Sequence, residues 1–483
     1  MFVVDGFGAA YRIDVKDPAK ARIAWIMDPG TNKADFMVAT NRGVALYKNF
    51  VISVTADCKV LWTKADTGEL VRTVQFDDPK RTHCTLTSAP LLIDDKLIVG
   101  GSGGDQGARA HIDALNADTG DRLWRTYSVP APGEPGSDTW QKADTWKTGG
   151  ASTWMTGNYD PQSNTVYWGT GNASPWFGDQ RPGDNLYTSS TIALDGDSGK
   201  IKGYFQYHQN ESWDWDEMNA PMLVDFQRDG ATTKGLLKPA RNGYLYWLKR
   251  GGDGAISYVN AVPYVPQNVF KGIDSKTGRP DVDLSHKPGT GKSAQFCPGL
   301  WGGKDWPYEA YNPKTGMVYI PSNENHCNTL EGKVEERVPG QWWTGVAIPD
   351  LHFSVDTKAS YFGQLQAYDV NSGRRAWRDL YSSSMMWGSV LTTGGGLLFT
   401  GGTNDREFRA YDARTGEQLW HFKTNSGVIA PPSTYEVNGV QYIAVASGYG
   451  VDAAFQQGLM SELVGWQKEV PQGGVVWVFA VSK

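Results

Sequence analysis

Short apolar runs rich in Val, Ile and Tyr, broken by Gly and polar turn residues, recur from one end of the chain to the other. This texture predicts strands rather than helices, and the opening MFVVDGFGAAYRIDV (1–15) reads as a strand and a turn. The pattern also repeats. ALNADTGDRLW (114–124), AYDVNSGRRAW (367–377) and AYDARTGEQLW (410–420) share an Ala, an Asp or Asn, a Thr/Ser-Gly pair and a closing Trp. ALDGDSGKIKG (193–203) keeps all but the last Trp, and TKADTGELVRT (63–73) and AYNPKTGMVYI (310–320) are weaker copies. Several neighbours lie about 40–50 residues apart, the period of a four-stranded propeller blade. In each copy the Ala-x-Asp stretch ends one strand and the Gly-containing pair makes the turn. The Trp on the returning strand then packs between adjacent sheets. The expectation is an all-β propeller forming one domain over residues 1–483; a solenoid fits less well, because no helical half-repeat accompanies the turns.

Composition changes this picture little. The 483 residues include 57 Gly and 20 Trp and carry a formal net charge of −6, with no Lys/Arg cluster. Nothing therefore argues for nucleic acid or an acidic membrane surface. No apolar run reaches the ~18 residues of a membrane span, and the first residues lack the basic, apolar and small-residue succession of a secretion signal. The expectation is either a cytoplasmic protein or a sequence lacking its true beginning. Four cysteines, Cys58, Cys84, Cys297 and Cys327, stand far apart. No Cys-x-x-Cys-His attaches a haem to this chain and no Cys-x-x-Cys pair suggests zinc; the even count permits two disulfides.

The segment ESWDWDEMNAP (211–221) carries the most suggestive chemistry. Extended backbone would turn Asp214 and Asp216 to one side and Trp213 and Trp215 to the other. Two converging carboxylates call for a cation, a shared proton or water between them; the plainer alternative is a solvated turn.

The repeats, together with TLTSAPLLIDDKLIVGGSGGDQGARAHIDAL, WKTGGASTW, VYWGTGNASPWFGDQRPGDN, ESWDWDEMN, ARNGYLYWL and CPGLWGGKDW, resemble the pyrroloquinoline quinone (PQQ) alcohol dehydrogenases, including the methanol dehydrogenases. The likeness covers nearly the whole chain. It implies an eight-bladed propeller with the quinone and one metal ion on its axis, a periplasmic location, a small alcohol as substrate and a cytochrome c as electron acceptor; it admits a homodimer. It also implies that roughly one blade of chain and a secretion signal precede Met1. GGVVWVFAV (473–481) resembles the family's terminal strand, which pairs with N-terminal chain to close the ring; without that partner an edge stays open.

Carried over residue by residue, the resemblance assigns Asp105, Asn172, Asp214 and Asp216 to the metal, a lanthanide or Ca²⁺. Asp216 matches the additional aspartate of the lanthanide-using members. Asp105 stands where the family usually has Glu, which shortens the reach by about 1.5 Å. Trp154 is implied as the floor under the quinone, and Arg42, Thr87, Ser102 and Ser152 as its hydrogen-bonding partners. Arg241 is implied near the reactive carbonyl and Lys304 as a further polar contact. Where the family closes the ring's other face with two adjacent bonded cysteines, this chain has Phe36 and Met37. Cys297 and Cys327 match a family disulfide, while Cys58 and Cys84 receive no assignment. The implied chemistry is hydride transfer from the carbinol carbon, with Asp214 as general base and Arg241 steadying charge on the quinone. Two alternatives stand beside it: a quinoprotein acting on sugars or polymer alcohols, and a non-catalytic propeller scaffold, which would not need Asn172, Asp214, Arg241 and Trp154 together.

Overall fold

The computed structural model describes residues 1–31, 40–228, 230–466 and 469–481. Among them, six four-stranded antiparallel sheets follow one another along the chain, within residues 45–75, 91–127, 158–206, 222–263, 310–381 and 391–423. A three-stranded sheet (Phe2–Val4, Ala10–Asp14, Arg22–Met27) precedes them, and another (Ser433–Val437, Val440–Ser447, Val475–Ala480) follows. The terminal strand Val475–Ala480 pairs antiparallel with Val440–Ser447, and among the described residues no strand lies on its other edge. Among the described residues no helix is long and apolar enough to cross a membrane.

The repeated sequence explains how the sheets join. In NADTGDRLW the Asn116 side chain accepts the N–H groups of Asp118 and Thr119, and Gly120 completes the turn at φ +81°. Trp124 then reaches the next sheet and donates its indole N–H to the carbonyl of Gly196. Trp25 does the same to Ala65 and Trp377 to Ala413. Each ring lies on the turn glycine of that neighbouring sheet: a Cβ at Gly199 would stand 2.4 Å from Trp124, and one at Gly416 2.5 Å from Trp377. The Gly thus serves a left-handed turn and a flat seat for an indole at once. A register shift recurs after the same repeat position, at Ala114/Leu115, Ala193/Leu194, Ala367/Tyr368 and Ala410/Tyr411. The core is correspondingly divided into clusters between neighbouring sheets, such as Trp247 with Val318 and Tyr368.

Three features depart from the pattern or go beyond it. One helix, Val451–Val464, covers a cluster containing Trp387, Tyr449 and Met460. The sheet of Ser293–Phe296, His326–Glu331 and His352–Val355 is inserted into the fifth four-stranded sheet, its last two strands falling in chain order between Met317–Asn323 and Gly363–Asp369. Both disulfides form: Cys297–Cys327, as the resemblance implies, and Cys58–Cys84, which the sequence left unassigned.

Candidate active site

The segment 211–221 is not an extended strand, and the alternation expected there is corrected. Asp214 sits at φ +60°, and its carbonyl accepts the Asp216 N–H at 3.2 Å. The kink brings Trp213 and Trp215 onto each other, with ring centroids 5.2 Å apart. Both indoles are fully buried and donate to carbonyls, of His286 and Gly299 respectively. Two anchored indoles therefore hold the loop, and Asp214 between them and Asp216 after them lie in a buried polar cluster.

Asp216 is the centre of that cluster. Its Oδ1 accepts the Asn172 backbone N–H at 2.5 Å and its Oδ2 the Trp154 indole N–H at 3.0 Å. A side chain at Gly171 would collide with it, its Cβ 2.3 Å from Oδ1. Asn172 in turn donates its amide to Asp105 Oδ1 at 3.0 Å, where Trp176 also donates at 2.9 Å. Arg241 closes the other side: Nη1 donates to the carbonyls of Asp214 (2.6 Å) and Leu300 (3.1 Å), and Nη2 binds the Asp305 carboxylate and stands 3.9 Å from Asp216.

Burial pushes the Asp105 and Asp214 carboxyls up, Asp214 well above the usual carboxylate range because the Asp105 charge adds to it. Burial also raises Asp216, to about 6, although the Arg241 guanidinium opposes the shift. For Arg241 burial works against the charge, but Asp305, Asp216 and Asp214 outweigh it. A cation among these groups would relieve the repulsion and restore the ionised forms. Carboxylate and amide oxygens are the donors that hard cations take. Among the described residues no three His, Cys, Asp or Glu side chains already converge as a finished metal cage. Asn172 turns its nitrogen toward Asp105, so a 180° amide rotation is the adjustment that adds its oxygen. The donor set fits a hard cation.

The aromatic side of the site is built from distant segments. The Arg42 guanidinium lies 4.6 Å from the Trp154 ring and 5.8 Å from that of Trp306. It donates to Thr87 Oγ1 at 2.7 Å, and Thr87 donates to the Trp154 carbonyl at 3.3 Å. Ser152 accepts the N–H of Gly104, the residue before Asp105. Arg42, Thr87, Trp154, Asp216, Asn172, Asp105, Asp214 and Arg241 thus form one connected group. Ser102 stands outside that chain of bonds, its N–H on the Thr85 carbonyl. Lys304 is buried, with Nζ 3.0 Å from Glu309 Oε2 and 3.0 Å from the Asp305 carbonyl oxygen. Phe36 and Met37 lie outside the described residues.

Sequence reasoning passed over four contributors. Asp305, the counter-ion of Arg241, directly follows Lys304, and Trp176 closes the GNASPW stretch that carries Asn172. Trp306 and Asp452 are the others, joined by an indole-to-carboxylate bond of 3.1 Å. Asp452 opens the helix, and no local signal links it to this site.

The docked four-stranded sheets define the chain as a β-propeller protein, with a buried cluster of carboxylate and amide groups beside Trp154. The family model for the β-propeller domain of glucose/ethanol/alcohol dehydrogenases (PQQ) matches residues 9–281 and 276–443. Quinoprotein alcohol dehydrogenase PedH of Pseudomonas putida is 36% identical over 468 residues, 92% of this chain and 76% of that protein. Methanol dehydrogenase [cytochrome c] subunit 1 of Methylorubrum extorquens is 33% identical over 91% of this chain and 74% of its own. Among solved structures, a europium-containing methanol dehydrogenase superposes with a TM-score of 0.89 at 30% identity, covering 100% of this chain and 89% of that one. The chain belongs to the PQQ-dependent quinoprotein alcohol dehydrogenases and is an oxidoreductase.

Proposed function

We propose that the protein oxidises small alcohols to aldehydes, with PQQ seated on Trp154, one lanthanide or Ca²⁺ ion held by Asp105, Asn172, Asp214 and Asp216, and a periplasmic cytochrome c as electron acceptor. We further propose that the six four-stranded sheets and the three-stranded sheets that precede and follow them are the eight blades of one ring over residues 1–483. The observation that carries the site reading is the unbroken link Trp154–Asp216–Asn172–Asp105, which joins the aromatic floor to three buried donors.

When bound, the quinone supplies the hydride acceptor and the ion the Lewis acid. Asp214 accepts the alcohol's hydroxyl proton on its carboxylate, which requires the ionised form that a neighbouring cation favours. Arg241, fixed by the Asp214 and Leu300 carbonyls and by Asp305, presents a guanidinium of set direction, suited to oxygens that gain negative charge. Arg42 lies over the Trp154 ring with Thr87 bonded to it, and its guanidinium fork matches planar carboxylates. Three carboxylates favour a trivalent over a divalent ion on charge alone, in line with the europium named in the structural relative.

The test is reconstitution with PQQ and either Ca²⁺ or La³⁺, followed by dye-linked oxidation of short-chain alcohols. Turnover that is faster with La³⁺ is expected. Equal rates with both ions would remove Asp216 from the ligand set, and no turnover with either would refute the reading.

A further inference from the structure

Arg181 lies between the strands Thr165–Gly169 and Ser190–Asp195 and is fully buried, as is Glu211. Its Nε donates to the Pro175 carbonyl at 2.8 Å and its Nη1 to Asn185 Oδ1 at 2.6 Å. Nη2 donates to the carbonyls of Trp176 (2.7 Å) and Glu211 (2.6 Å) and stands 3.5 Å from Glu211 Oε1. The other carboxylate oxygen of Glu211 accepts the backbone N–H groups of Trp213 at 2.9 Å and Trp215 at 3.3 Å.

These partners are placed with respect to the candidate donors. Pro175 and Trp176 follow Asn172 in one loop, and the Trp176 indole is itself bonded to Asp105. Trp213 and Trp215 bracket Asp214 and lead into Asp216 in another. Across the two loops the described backbone bonds are Glu217 N–H to the Thr170 carbonyl and Asn210 N–H to the Asp184 carbonyl, and the side chains of Ser212 and Asp216 accept the N–H groups of Gly178 and Asn172; of the side chains that span the loops, Arg181 alone does so as a buried, charged fork. Removing both members of an ion pair from water costs several kcal/mol that mutual attraction barely returns, so such a pair is weak evidence for stability. Its distinctive contribution is geometry: a planar fork with every bond directed at a backbone or side-chain oxygen of a ligand-bearing loop.

We propose that Arg181 and Glu211 are positioning residues that fix the separation between the loop of Asn172 and the loop of Asp214 and Asp216, and with it the fit of the cation site. The proposal rests on reading those residues as metal donors. Neither Arg181 nor Glu211 touches the ion; they act through the loops they join.

The full chain is titrated with Tb³⁺, read by Trp-sensitised luminescence and by its lifetime in H₂O and D₂O. Arg181→Lys keeps one charge but lacks the fork, and it is expected to weaken Tb³⁺ binding about 10–100-fold and to admit an additional water, seen as a shorter lifetime in H₂O. Glu211→Gln, which retains an acceptor for the two N–H groups, is expected to lose less than Glu211→Ala. Should Arg181→Lys fail to fold, that graded pair decides. Wild-type affinity and lifetime in the folded variants would overturn the proposal. Failure of the metal reading looks different: Asp214→Ala and Asn172→Ala would then leave Tb³⁺ binding unchanged.

Discussion

Replacing Asp305 by Asn tests the electrostatic frame of the site. Asp305 is bonded to Arg241 Nη2, and the two side chains are 8% and 7% exposed. Asn preserves shape and an accepting oxygen, so what is lost is charge. The next carboxylate oxygen, Asp216 Oδ2, stands 3.9 Å from Nη2; at that distance and an effective dielectric of about 20, two unit charges attract by about 4 kcal/mol. Breaking a buried pair from one side costs about 3–5 kcal/mol, and the retained amide bond offsets part of it. The expected fall in unfolding free energy is about 3 kcal/mol. The functional consequence has a definite sign. With Asp305 neutral, Arg241 is left to Asp216 and Asp214, where it competes with a cation for the same oxygens. A loss of about 1.4 kcal/mol there is tenfold in affinity. Calorimetric titration of the full chain with La³⁺ should therefore show binding weakened tenfold or more, with urea unfolding reporting the stability term. Binding as tight as wild type in Asp305→Asn would refute the view that Arg241 and the cation share one set of carboxylates.

Asp214→Asn should retain quinone and metal, measured by absorbance and elemental analysis, while dye-linked turnover falls about 10²–10⁴-fold; unchanged kcat would remove it as the base. Replacing both Cys58 and Cys84 by Ala opens a loop spanning 26 residues, for which loop entropy gives about 3.5 kcal/mol; a urea-unfolding loss below about 1 kcal/mol would count against that estimate. Asp77 offers a pH test. Burial pushes its carboxyl up, but bonds from His111 and the Asp78 N–H, with the Arg125 charge, outweigh it and hold the group at about 2. The folded value lies below the ordinary 3.8, so the stabilisation is present above pH ~4 and fades as pH falls through about 2. Asp77→Asn should be less stable than wild type by about 1–2 kcal/mol near pH 6, after allowance for solvent screening, and the gap should close toward pH 2. A gap that widens on acidification would contradict the assignment.

What the sequence disclosed about the fold was what is local. The turn NADTG is legible because Asn116 bonds two following N–H groups and Gly120 needs a left-handed φ, and the Trp that follows has a fixed distance to travel to the next sheet. The helix Val451–Val464 was not legible, for a physical reason. Two of its inward residues are Gln456 and Gln457, buried but polar; Gln456 accepts the Trp387 indole N–H and Gln457 receives the Asn404 amide. An apolar stripe cannot be read from residues whose buried contacts are hydrogen bonds. The Cys58–Cys84 pairing likewise depends on which turn meets which strand, which spacing along the chain does not specify.

At the site, residue types were legible and their partners were not. Alternation put Trp213 and Trp215 on one side, where they do stack, but it assumed an extended backbone, whereas Asp214 is left-handed at φ +60°. Asp105, which departs from the family pattern, and Asp216, which matches its lanthanide-using members, gain meaning only together. Asp105 is one methylene shorter than Glu, and both of its bonds, from Asn172 and Trp176, fall on Oδ1, so Oδ2 is the oxygen it has to offer an ion. Asp216 adds a carboxylate on the opposite loop, tied to Trp154 and to Asn172. On the proposed reading the acidic donors then number three, Asp105, Asp214 and Asp216, two of them on the Asp214–Asp216 loop. On the proposed reading, the residues that would hold a cation there include Asp214, the proposed base, and Asp216, which is bonded to the Trp154 indole. If Arg181 and Glu211 position that loop as proposed, metal preference would follow from how the loop is held as well as from the donors it carries.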